Sequence, residues 1–414
     1  MNERVRPLKQ WPFRFFVAGR AVSMVGDVVS RVAVPLLILD QAGSGIELGV
    51  VGVLQTAPSF FFGLVAGALA DRLEKRITMF AADVGSALLT ALIPLAHVLG
   101  FDVFTVTMAV ALPLGMLRVL YTGAYTAAVP EIVGREDLPR AMGLLQIIEA
   151  AAHVVGPALV GLLVARMGAA STLAVDAGSF LVSAAALCAL PRLPGARSGA
   201  GKSLGREVAE GVRFVTSHRL LRSIILLWSA VTVATAGIIP VMMFWVSKDL
   251  HVDMRWVGLA MSIFAAGSIL GAFTVSRVPK ERLGVVLLTG VVVYGAVLIA
   301  VSGASGSSNA RMLLFALLAV AGGAAFGTMT VSYYTLLPLA TPRELVGRVG
   351  STAKTVTQAF QSIGMAATGA VLEVLRGAGS LRVMGVTMIL AGLLSALPSS
   401  IRRLDGGLFL DARK

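Results

Sequence analysis

The sequence predicts an all-α integral membrane protein of 12 transmembrane helices, arranged as two pseudo-symmetric six-helix bundles. Three observations lead there. Only 14% of the 414 residues are charged and 57% are hydrophobic, against about 25% charged in soluble domains. Apolar segments long enough to cross a bilayer, roughly 20 residues each, recur along the whole chain. The second half also repeats residues of the first at one fixed offset.

The first segment, 15–39, follows a basic start (MNERVRPLKQ). It is too long for the core of a signal peptide and lacks a cleavage site, so it reads as a retained span. Segment 46–69 comes next and runs into the charged stretch "DRLEKR", and segments 77–99, 103–125, 140–165 and 170–190 complete six spans with short connections. Residues 191–220 form the long connection. Within it, Leu204, Val208, Val212 and Val215 have the spacing of a short amphipathic helix lying on the cytoplasmic surface. The second six spans fall at 221–246, 256–275, 283–302, 310–337, 348–375 and 381–401. The expected organisation is an N-terminal bundle over 1–190, a linker over 191–220 and a C-terminal bundle over 221–414.

An even number of spans puts both termini on one side. Of the 35 Lys and Arg residues, 25 fall on that side, six on the other, and Arg20, Arg31, Arg118 and Lys354 lie within spans. The excess of basic loops marks the cytoplasmic face, so both termini are expected in the cytoplasm and the net charge of +13 belongs to a membrane surface, not to nucleic-acid binding. The expected setting is the plasma membrane of a bacterium. Cys188 is the single cysteine. It lies in an apolar run and reads as small core filler.

The repeat is specific. Pro130, Arg135, Glu136 and Arg140 recur 208 residues on as Pro338, Arg343, Glu344 and Arg348, and Gly115, Tyr125, Gly156 and Gly161 recur as Gly323, Tyr333, Gly364 and Gly369. Gly63 and Gly67 have counterparts 204 residues on in Gly267 and Gly271, with Val275 in place of Asp71. Both versions carry the small-xxx-small spacing that lets helices approach closely in lipid. Duplicated halves are a device of secondary transporters that work by alternating access.

Together these features resemble the major facilitator superfamily over essentially the whole chain. Its signature loop between spans 2 and 3 is matched by Gly67, Asp71, Arg72 and Arg76, with Glu74 where a glycine is the rule. Its exporter signature in span 5 is met in part by "GPALVG", with Gly156, Pro157 and Gly161, and its span-4 signature loosely by Arg118 and Gly123. The "SMVGD" of span 1 and "GPALVGLL" of span 5 are similar to the drug:proton antiporter branch that includes macrolide-efflux and enterobactin-export proteins. The resemblance implies that Arg118 influences proton release. The loop motif itself is expected to act as a cytoplasmic gate latch, with Asp71 able to meet the positive N-terminal end of span 11 near Arg348 to Gly350.

Ionisable groups inside spans are costly, and each is a functional candidate. In span 1, Arg20, Ser23, Asp27 and Ser30/Arg31 share one helical face. Asp27 and Arg31 are an i,i+4 pair able to neutralise each other. Asp27 is read either as a protonation site facing a water-filled cavity or as part of a fixed ion pair that orients the helix. Span 5 carries Gln146, Glu149 and His153 at helical spacing, matched in span 11 by Lys354, Thr357, Gln358 and Gln361. The expectation is that both stripes face a shared aqueous cleft, with Glu149 and His153 as a proton relay or as inter-half hydrogen-bonding groups. Trp228, Thr232, Thr235, Tyr333 and Tyr334 are candidate cavity walls, explained equally well by packing. Asp83 and Asp176 read as structural acceptors in peripheral spans.

The stretch "ARSGAGKS", 196–203, fits a relaxed phosphate-loop pattern. That chemistry requires a strand before the loop and a helix after it, and here a membrane span and a Pro-containing linker precede it. No nucleophile, metal-ligand or dinucleotide pattern is present, so the expectation is a transporter without cofactor, not an enzyme. The expected function is export of a hydrophobic or amphipathic small molecule by proton antiport, by a monomer whose partners are the substrate, protons and the bilayer. The alternatives are an uptake symporter or lysophospholipid translocator of the same fold, or a non-transporting receptor or assembly factor.

Overall fold

Hydrocarbon offers the backbone no hydrogen-bond partners, so each crossing must be a helix that satisfies its own amides. The computed structural model of the chain describes residues 11–41, 44–63, 69, 73–193, 213–246, 254–303, 308–342 and 345–396. In order these form α1 (Trp11–Gln41), α2 (Gly45–Phe61) and α3 (Lys75–Leu99). The run Val103–Leu187 is broken at Gly134 and Gly168 into α4 (103–133), α5 (135–167) and α6 (169–187). Then come α7 (Arg219–Thr235, continued by Ile238–Phe244), α8 (Met254–Val275), α9 (Leu283–Ser302) and α10 (Ser308–Leu339). The run Val346–Ala396 is broken at Arg376 into α11 (346–375) and α12 (377–396). Every span expected from the sequence meets one of these helices. Among the described residues, eight helical stretches are long and apolar enough to cross a membrane, joined by the shorter apolar helices Gly45–Phe61 and Leu259–Val275. The protein is an all-α, multi-pass membrane protein.

Local chemistry sets several of the ends. Ser44 caps α2 by accepting from the amides of Ile46 and Glu47, as Ser does at helix starts. Asp102 caps α4, accepting from the amides of Phe104 and Thr105 and from the Thr105 hydroxyl; these bonds, the last above all, hold its carboxyl below the ordinary range. Gly100 closes α3 in the left-handed conformation, φ 74 and ψ 18, where glycine alone is free of steric cost.

Residues 126–139, expected as a connection, are helical up to a break at Gly134. A single residue of positive φ makes the turn, so the helices run on past their apolar stretches.

The chain divides into two compact units, Met1–Ala200 with Met254–Leu259, and Gly201–Asp253 with Ala260–Lys414. Within each, the sequence repeat reappears as packing. A Cβ on Gly115 of α4 would stand 2.9 Å from the Gln55 carbonyl of α2, and one on Gly323 of α10 would stand 2.0 Å from the Phe264 carbonyl of α8. Likewise Gly156 of α5 meets Val28 of α1, and Gly364 of α11 meets Val233 and Ala236 of α7. The repeat extends to residues that are not identical. Gly168 (φ 79, ψ 164) and Arg376 (φ 56, ψ −170) stand at the same offset and break the chain alike. Four residues on, the Thr172 hydroxyl donates to the Gly168 carbonyl and the Ser380 hydroxyl to that of Arg376.

The close approach expected of the small-xxx-small spacing is met in span 8, where Gly267 and Gly271 lie against the Val320 and Ala324 carbonyls of α10, whereas Gly63 of span 2 has open space among the described residues where a side chain would go. One expectation needs correction. Cys188 is exposed, not core: an apolar run in a membrane helix faces lipid as readily as protein. The expected surface helix around Leu204, Val208 and Val212 lies outside the described residues, and Val215 is buried in a helical turn at 213–217.

These contacts separate two like substitutions. Gly271→Ala places a methyl 2.0 Å from a backbone oxygen and costs about 1–3 kcal/mol by overpacking. Gly63→Ala fills open space and is neutral or slightly stabilising, since Ala is the better helix former. Thermal unfolding of the two purified variants in detergent checks the difference.

Candidate functional site

Asp27 sits midway along α1. Its Oδ1 accepts from Arg118 Nη2 of α4 at 3.1 Å, and its Oδ2 lies 3.7 Å from Arg20 Nη1, two turns back on its own helix. Arg20 also donates to Ser23 Oγ at 3.3 Å and spreads its guanidinium over two α4 rings, with Tyr121 and Tyr125 centroids at 5.2 and 5.6 Å. One carboxylate is therefore shared by two guanidiniums, one of them held on aromatic faces. Among the described residues Asp27 makes no ion pair with Arg31, contrary to the i,i+4 expectation; Arg118 from the neighbouring helix takes that place. Arg31 has Arg118, Asp27 and Glu149 within electrostatic reach, and Glu149 is half-buried on α5.

Close packing builds this arrangement. A Cβ on Gly26 would collide with Ser179 and Asp176 of α6, so the missing side chain lets α1 lie on α6. There Ser30 Oγ donates to Asp176 Oδ2, and Ser179 Oγ lies 3.2 Å from Asp176 Oδ1. Asp176 thus links two helices. Asp83, expected at the periphery, is 3% exposed on α3. With Arg20, Asp27, Arg31 and Arg118 it lines a cavity of about 210 Å³.

The second unit holds a cavity of about 490 Å³ among α7, α10 and α11. Trp228 and Tyr333 stack with centroids 4.2 Å apart and planes 8° apart, and Tyr334 stands edge-on to both. Lys354, Thr357, Gln358 and Gln361 line the α11 side. Five of the expected cavity residues (Lys354, Gln358, Gln361, Trp228 and Tyr333) are therefore together. The side chains of Gln146, His153 and Pro157 lie outside the described residues, while Gly156 and Gly161 are buried in α5.

Of the loop motif, Gly67, Asp71 and Arg72 lie outside the described residues, as does the side chain of Arg348. Arg76 donates to the Leu190 carbonyl at the end of α6 at 2.7 Å and lies 3.7 Å from Glu74, the residue that replaces glycine. Lys75, 3% exposed, pairs with Glu131 of α4 at 2.8 Å, and its amide donates to Leu193. This charged stretch ties the start of α3 to the ends of α4 and α6.

Sequence reasoning underweighted Arg20 and Asp83. Arg20 was legible, since seven residues from Asp27 is two helical turns on one face. Asp83 was not: a lone acid in a span gives no direction until its helix is placed.

Twelve helices among the described residues, in two units that repeat one packing frame and each hold a cavity, fit a membrane transporter of the major facilitator type. Over residues 3–406 the chain matches the model described as "Transmembrane secretion effector", and it belongs to that family, whose members are transporters, not enzymes. It is 26% identical to the multidrug efflux pump Tap of Mycolicibacterium fortuitum over 410 residues, covering 96% of this chain and 98% of that one. It is 28% identical to the enterobactin exporter EntS of Citrobacter koseri over 401 residues, covering 94% and 92%. Its fold is similar to a point mutant of the nucleoside transporter NupG (TM-score 0.75, 12% identity, 97% of this chain and 100% of that one). It is likewise similar to an inward-facing bacterial homologue of the lysosomal transporter Spinster (TM-score 0.71, 13% identity, 99% of each chain).

The shared carboxylate contributes to the stability of the first unit. Asp27→Asn leaves two guanidiniums without their counter-ion and lowers the unfolding midpoint. Arg118→Gln in the same chain recovers part of the loss, with a coupling of about 1 kcal/mol for a half-exposed pair. A double-mutant cycle of thermal unfolding measures it.

Proposed function

We propose that the protein exports a hydrophobic or amphipathic small molecule from the bacterial cytoplasm in exchange for protons, by alternating access of its two halves, with both termini cytoplasmic. The observation that carries the reading is Asp27 between Arg20 and Arg118. A proton on Asp27 cancels the charge that holds Arg118, so protonation and the release of a guanidinium into the cavity are one event. Glu149, in reach of Arg31, is the second candidate carboxylate.

In the outward-open state Asp27 and Glu149 take up protons, which weakens the ion pairs and favours return to the inward-open state, where the protons leave. The different proton affinity of the two states drives the cycle. The names of the relatives, an efflux pump and an exporter, support the direction. The excess of basic residues on the terminal side supports the orientation.

Proteoliposomes preloaded with candidate drugs and siderophores, under an imposed pH gradient, test this. Gradient-driven efflux is expected from the wild type, with strong loss in Asp27→Asn and partial loss in Glu149→Gln. Flux indifferent to the gradient, or unchanged in both variants, contradicts proton antiport.

A further inference from the structure

We infer that the cavity of the second unit selects organic anions that carry a flat aromatic ring. This rests on the transporter reading above and names the substrate class for one of its cavities. The walls give the first half of the inference. Trp228 is half-buried and its stacked neighbour Tyr333 only 3% exposed, whereas Tyr334 is 63% exposed. Tyr333 backs Trp228 on one face, and Tyr334 stands edge-on to both. A flat ring entering this space finds an indole to stack on and a phenol edge beside it, the geometries aromatic pairs prefer.

Charge gives the second half. Lys354 lines the cavity and is exposed, and among the described residues no acid shares the lining and Lys354 makes no ion pair. The threonine hydroxyls nearby are already committed as donors: Thr232 to the Trp228 carbonyl, Thr341 to Leu337, and Thr357 to Ala353 and Lys354. The remaining donors on α11 are the Lys354 ammonium and the Gln358 and Gln361 amides, on one helical face by their spacing. An ammonium with amide donors and no competing carboxylate among the described lining residues fits a carboxylate or sulfonate. The aromatic walls alone would also take a cation, but such a cation would enter beside an uncompensated ammonium. Lys354 therefore decides the sign.

Full-length protein in lipid nanodiscs, titrated with 2-naphthoate and with 2-naphthylmethylammonium, tests the inference with one ring and two charges. Naphthoate is expected to bind about ten-fold tighter, the worth of a hydrogen-bonded charge pair. Lys354→Gln should erase the preference, Lys354→Arg should keep it, and Trp228→Ala should weaken both probes. Equal or tighter binding of the ammonium, or a preference unchanged in Lys354→Gln, overturns the proposal. Vesicle flux separates it from the exporter reading. Gradient-driven efflux of neutral amphipaths with no charge preference leaves the exporter standing and ends this inference. Anion preference at Lys354 without flux of any compound does the reverse.

Discussion

A charge placed in a bilayer must be solvated by other protein groups or by water in a cavity, and this constraint shapes the first unit around Asp27. The carboxylate reaches Arg118 on α4 and Arg20 on its own helix, and Arg20 in turn lies on Tyr121 and Tyr125. For these groups to meet, α1 must lie against α4 at close range, and its packing on α5 and α6 holds it there. Lipid supplies no hydrophobic drive for such contacts, so they depend on small residues and buried hydrogen bonds. Gly26 against Ser179, Gly156 against Val28 and the Ser30–Asp176 bond are those devices. Packing and polar network are thus one design: a larger residue at Gly26 or Gly156 would move the helix that carries Asp27.

The two units use the same frame for different chemistry. Gly115 and Gly323, Gly156 and Gly364, and the breaks at Gly168 and Arg376 occupy equivalent places. The inner surfaces have diverged. The first cavity is lined by acids and arginines together, the second by aromatic rings and one lysine. That division fits a transporter in which one unit manages protons and the other recognises substrate.

Much of this architecture was legible in the chain. Twelve apolar segments and a 208-residue repeat suffice for the fold because a membrane helix needs only length and hydrophobicity to be recognised. The stripe Lys354, Thr357, Gln358 and Gln361 was readable from spacing, whereas its aromatic companions Trp228, Tyr333 and Tyr334 were candidates that packing explained equally well. Partners between helices were not. Asp27 was paired with Arg31 because one helix is all that sequence spacing sees, whereas Arg118 lies 91 residues away along the chain. Cys188 misled for a related reason: in lipid, apolar does not mean inside. Asp176 was read correctly as an acceptor, and its donor Ser30, 146 residues away, became visible only in the fold.

The central claim is that Asp27 exchanges a proton as part of the transport cycle. Difference infrared spectroscopy of proteoliposomes, titrated across the pH range in which the protein is active, tests it most directly. The account predicts a protonated-carboxyl band that grows as pH falls and disappears in Asp27→Asn. An Asp27 that stays ionised throughout that range, with a spectrum identical to that of Asp27→Asn in the carboxyl region, would contradict it.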